Sequence, residues 1–170
     1  MHNAPVSAAR PSPRDGGASL PQAVAQHVAI GGWVRRPLRL DARALERFGA
    51  VDVPDFVVTC TFDGAHGGAR AMRGVVLRDL IVRAEPAFAE RTDFKRVALV
   101  AESRDGYRAL FSWAEIFHTF VGEGVYVAFD SRPRRLAPDA GPFALISLHD
   151  RFTGPRFVRS LASVDLHKLW

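Results

Sequence analysis

Hydrophobic and polar positions along the chain switch between a period near two and a helical period, and the switches outline short strands separated by short helices. Residues 27–40 (HVAIGGWVRRPLRL) read as a strand, with Gly31 and Gly32 marking a bulge and Pro37 placing its end at a sheet edge. Asp41 is suited to cap a helix over residues 42–48, in which Leu45 and Phe48 face inward, and Gly49 lies just past its end. Residues 56–62 (FVVTCTF) are β-branched and aromatic, and a period of two puts Phe56, Val58, Cys60 and Phe62 on one face. If this strand runs on through Cys60, the thiol lies in an apolar layer. If it stops there, the thiol faces a loop containing Gly64, Gly67, Gly68 and Gly74. Leu77, Leu80, Ile81 and Ala84 then recur at helical spacing, and Pro86 ends that helix.

The second half carries the clearest local signal. Residues 96–102 (RVALVAE) and 107–111 (YRALF) are strands joined through Asp105-Gly106, where glycine supplies the positive φ of a primed hairpin turn. Ser112 and Glu115 form a capping box that opens a helix carrying Ile116, Phe117 and Phe120, closed by Gly122 and Gly124. Residues 124–129 (GVYVAF) and 143–147 (FALIS) are strands flanking a polar turn region at 132–138, and residues 156–166 alternate toward a last strand. The sum is an α+β fold, with mixed or antiparallel sheets and a few short helices. Residues 1 to about 24 are rich in Pro, Gly, Ala and Ser and read as a flexible tail, leaving residues 25–170 as one domain.

Composition narrows the classes. Of 170 residues, 48% are hydrophobic, enough for a sizeable core, and no apolar run approaches the roughly 20 residues of a membrane span. The first residues lack the apolar stretch of a secretory signal, so the expected compartment is the cytoplasm. The net charge of +5 and pI near 10.3 invite a nucleic-acid reading. The cations are nearly all arginine, though, and they alternate with acids instead of forming a block, so nucleic acid is not the expected partner. A single cysteine excludes an internal disulfide and a cysteine-rich zinc site.

The order of the pieces carries more than any one of them. WVRRPLRLDARALERF is followed by FVVTCTFDG, RGVVLRDLI, SRDGYRALFSWAEI, VYVAF and RRLAPDAGPFALIS, and GPRFVRSLASVDL comes last. In this order and spacing the chain, from about residue 29 to 166, resembles the molybdopterin-binding domain of the sulfite oxidase family. The resemblance implies that family's mixed α+β fold and a molybdenum-molybdopterin cofactor. It implies that Cys60, matching the family's strand-end cysteine, gives its thiolate to molybdenum, a pairing that soft sulfur chemistry favours. It further implies oxo transfer to or from a small anion or an S- or N-oxide, with electrons passing to a separate redox partner protein, because no C-x-x-C-H haem motif occurs here.

Around Cys60 the candidates are His66, as a contact to the metal's oxo group or pterin or as a base paired with the thiol, and Arg70 and Arg73, as forks for an anionic substrate or the cofactor phosphate. Arg151, Arg156 and Arg159 offer the same chemistry from the C-terminal segment. The bland readings stand beside these: a cysteine on a strand as core, a loop histidine in solvent, arginines in surface salt bridges. Asp105 and Gly106 read as turn formers and Tyr107 as a packing residue. Where the family has a Gly-Asn-Arg-Arg type sequence after its cysteine, this chain has TFDGAHGGAR. That difference opens a second reading: a cofactor-free binding or assembly module that keeps the fold.

Overall fold

The computed structural model describes residues 27–62, 64–69, 72–130 and 142–170, with 66–69 and 130 described as backbone alone. The tail expected at 1–24, the turn region at 132–138 and Arg70 lie outside the described residues. The fold is mixed α+β, with strands dominating and three short α-helices among the described residues. No helix among them is long and apolar enough to cross a membrane.

The expected strand at 27–40 is two strands, β1 (Val28–Gly32) and β2 (Leu38–Leu40), paired antiparallel. The chain leaves the ladder between them because other carbonyls take its amides: Trp33 N–H donates to Leu166, Arg35 to Glu85 and Arg36 to Ala84. Helix α1 (Ala42–Arg47) is capped as expected, Asp41 Oδ1 accepting from Ala44 N–H at 2.7 Å. A short strand not anticipated, β3 (Val51–Val53), comes next, and then β4 (Phe56–Cys60). The glycine-rich stretch is also a strand, β5 (Gly64–Ala69), antiparallel to β4, and the next segment is β6 (Met72–Val76). Glycine disfavours strands intrinsically, but pairing with the β-branched residues of β4 supplies the ladder, and strand preference depends on such context.

Helix α2 (Leu77–Ala84) buries Leu77, Leu80, Ile81 and Ala84, the face its spacing gives. The hairpin of β7 (Val97–Ser103) and β8 (Arg108–Ser112) is present, with a different turn. Gly106 N–H donates to Ser103 C=O and Ser103 N–H to Tyr107 C=O, and Gly106 alone has positive φ, at +89°. This is a three-residue loop with a left-handed glycine closing it, not a primed two-residue turn, because Asp105 stays at negative φ and binds the turn with its side chain. The capping box opens α3 (Trp113–Phe117), but the helix stops before Phe120, which sits in a 3₁₀ turn and is mostly exposed. The remaining strands are β9 (Val125–Asp130), β10 (Phe143–Ser147) and β11 (Leu161–Lys168).

One sheet runs β2-β1-β11-β7-β8, another β10-β9-β6-β3, and β4-β5 is a separate two-stranded ribbon. The last strand is therefore internal, parallel to β1 and antiparallel to β7. The main core lies on one face of the four-stranded sheet, where Val75, Val127, Phe129, Phe143 and Leu145 meet Leu45, Leu80, Ile81, Leu99 and Phe111. The opposite face carries a smaller cluster of Val53, Met72, Ala128, Ala144 and Ile146. Phe56 of the ribbon and Phe157 close over that second cluster, their rings meeting edge-on at 5.6 Å. This is why every residue of β10 is buried, with none facing solvent, and it is what places β4.

Candidate functional site

The candidate site grows from β4. Alternation puts Phe56, Val58 and Cys60 on one side of the strand. Phe56 packs on Phe157, and Val58 and Phe157 both line a cleft of about 440 Å³. Cys60, two residues beyond Val58, falls on the same side of the strand by alternation without itself lining the cleft, and it is half-buried and a free thiol. The strand ends at Cys60, so of the two arrangements open from sequence the structure has the thiol at the strand end. Phe62, expected on the same face, lies in the turn and is 91% exposed.

The remaining walls come from the β7–β8 turn, with Ser103, Asp105 and Tyr107, and from the segment before β11, with Gly154, Phe157 and Arg159. The turn is internally bonded. Ser103 Oγ donates to Asp105, whose carboxylate also accepts the Tyr107 N–H at 3.1 Å. The Ser103 hydroxyl and the Tyr107 amide together hold the Asp105 carboxyl below the usual carboxylate range. Tyr107, expected to be a packing residue, is instead half exposed, and its hydroxyl donates to Pro155 C=O at 2.6 Å, tying the turn to the opposite wall. The cleft thus presents one cation, Arg159, one anion, Asp105, and apolar walls from Val58 and Phe157.

A second set of contacts fixes β4 against the third wall. Thr153 Oγ1 accepts from Thr59 N–H at 2.9 Å and donates to Val57 C=O at 2.8 Å, while Thr153 N–H donates to Thr59 Oγ1 at 3.2 Å. Thr153 occupies the edge of β4 that no described strand pairs with. Nothing local marks Thr153 in sequence, because its partner lies 94 residues away.

Other expected site residues fall elsewhere. Arg73 donates to both oxygens of Glu46 at 2.7 and 2.8 Å, to Asp52 at 3.0 Å and to Ala50 C=O at 2.6 Å, so its fork is filled by this chain's own acceptors. Arg156 is likewise filled, by Asp150 and by Glu115 at 2.7 Å, with its guanidinium 4.4 Å from the centre of the Phe111 ring. In each case carboxylates that the sequence scatters come together around the arginine only in the fold. Arg151 lies over the Phe152 ring at 5.6 Å. His66 is the register partner of Val58, not of Cys60, whose partner is Gly64. Among the described residues no group of three or more His, Cys, Asp or Glu side chains is placed to hold a metal ion.

No protein-family model matches this chain. No curated protein matches it significantly. Among solved structures it is similar to the sulfane dehydrogenase SoxCD from Paracoccus pantotrophus, with a TM-score of 0.59, 18% identity and 84% of this chain covered. The match takes in 38% of that neighbour's chain. At this identity the likeness is one of fold: part of a sulfane dehydrogenase and this chain share a mixed α+β architecture.

Proposed function

We propose that this chain is a cofactor-binding oxidoreductase domain with the sulfite-oxidase-like molybdopterin-binding fold, and that the cleft beside β4 is where the cofactor lies. The observation that supports this most is the position of Cys60 at the end of β4, two residues beyond Val58, which lines the cleft. A molybdopterin-type group would supply two-electron oxo transfer at its metal. Cys60 would hold the molybdenum as a thiolate, a soft donor suited to a metal that changes oxidation state. Arg159 would supply positive charge to an anionic part of the cofactor or to a small anionic or oxide substrate, and Val58 and Phe157 would exclude water from that side. Arg73 and Arg156 would not take part, because their donors are bound to Glu46, Asp52, Asp150 and Glu115. Electrons would leave to a separate redox partner. The fold shared with part of a sulfane dehydrogenase is consistent with this reading. The test is expression in a host that makes the cofactor, then elemental analysis for molybdenum and pterin fluorescence on the same purified sample. Near-stoichiometric amounts of both are expected, and a well-folded protein with neither would overturn the proposal.

A second reading is favoured by those same filled arginines: a module that keeps the cleft but binds a partner or small ligand without the cofactor. It predicts the metal-free, pterin-free outcome.

A further inference from the structure

The ribbon β4-β5 belongs to neither larger sheet, and Thr153 hydrogen-bonds its β4 edge to the body of the fold. Thr153 uses its hydroxyl as both acceptor and donor there, and its amide completes the exchange with Thr59. Gly154 brings the two backbones together: a Cβ on it would stand 2.8 Å from the Thr59 carbonyl oxygen. Those bonds hold Val58 against the cleft, because Val58 lies between the two residues, Val57 and Thr59, that Thr153 binds. The opposite side of the strand gives little grip, since Val57 is 54% exposed.

We propose that Thr153 is a latch that holds β4 over the cleft, and that release of its hydrogen bonds swings β4 outward and opens the cleft on the side of Cys60. The latch consists of this chain's own groups, so it operates whatever ligand the cleft takes. An edge joined by a few hydrogen bonds and by the packing of Phe56 on Phe157 and the second cluster opens at lower free energy than the paired strands of the five-stranded sheet.

The test uses the full chain and two readouts: hydrogen exchange at the Thr59 amide, and the labelling rate of Cys60, the chain's single thiol, by a bulky maleimide. Thr153→Val keeps the side-chain shape and removes both hydroxyl bonds. Both rates are expected to rise about tenfold to thirtyfold, the effect of losing two ordinary hydrogen bonds. Thr153→Ser should restore both to near wild type, with amides of β7 and β11 keeping their protection in every variant. Unchanged rates in Thr153→Val overturn the latch. Equal loss of protection in β7 and β11 overturns it too, because Thr153 would then support the whole fold. Faster amide exchange without faster Cys60 labelling overturns the opening of the cleft. If Thr153→Val does not fold, Gly154→Ala wedges the same contact from the backbone side and is held to the same outcomes.

Discussion

Arg156 and Glu115 form an ion pair at 2.7 Å in which the carboxylate has a second task. While Oε1 accepts from Arg156, Oε2 accepts from the Ser112 N–H at 2.7 Å and so completes the capping box of α3. Burial works against the charged carboxyl, but the Ser112 amide and hydroxyl and the Arg156 guanidinium outweigh it and hold Glu115 below its ordinary range. The start of α3 and the segment leading to β11 are thereby locked together through one side chain.

Replacing Arg156 should therefore destabilise the fold more than a surface arginine would. Removing one partner of a buried pair costs about 3–5 kcal/mol. With 20% of the Arg156 side chain exposed, Arg156→Met is expected to lose about 2 kcal/mol, read as a lower midpoint in urea unfolding. Arg156→Lys should recover little of it, because a point charge cannot engage Asp150 through two nitrogens and also reach Glu115. A loss below about 0.5 kcal/mol would show that the pair is solvent-screened after all.

Asp93 gives a pH dependence of defined sign. It is 1% exposed, and the amides of Glu90 and Ala89, each donating at 2.9 Å, hold its carboxyl below the usual range, with Lys168 3.7 Å away. The folded value is thus lower than the unfolded one. Its contribution is fully present above the unfolded pKa, near pH 4, and is lost as pH falls from there through the folded pKa. Wild type should exceed Asp93→Asn in stability at neutral pH, with the gap narrowing below about pH 4. A gap that stays constant with pH would remove the carboxylate from the account.

The end of β4 at Cys60 can be checked with two phenylalanines. Phe62→Ala should change stability by less than about 0.5 kcal/mol, since the ring is almost wholly in solvent. Phe143→Ala, from a fully buried ring of β10, should cost about 3–5 kcal/mol. A cost above about 2 kcal/mol for Phe62 would mean that the strand continues and buries that side chain.

Local chemistry made part of this fold legible in the sequence. The Asp41 cap, the buried face of α2 and the Ser112–Glu115 capping box all depend on residues within a few positions of each other, and all three are present. What sequence did not show was set by distant partners. The glycines at 64, 67 and 68 read as loop because their ladder depends on pairing with β4. The last strand was expected, but not its place inside a sheet, between β1 from the first part of the chain and β7 from its middle. At the site, Cys60 was legible as the chain's single thiol at the end of a strand, and the structure places it there, and Arg159 was one of several candidate cations. Arg73 and Arg156 looked like candidates too, since nothing in a linear sequence indicates that Glu46 or Asp150 will fold against them. Thr153 carried no signal at all.

The central claim is that Cys60 is a metal ligand in a cofactor cleft. Its most direct test is the molybdenum content of wild type and Cys60→Ser, purified side by side from a cofactor-producing host, with pterin measured in both. The account predicts near-stoichiometric molybdenum in wild type and a loss of at least tenfold in Cys60→Ser, at equal folded yield. Equal molybdenum in the two proteins, or none in either, would contradict it.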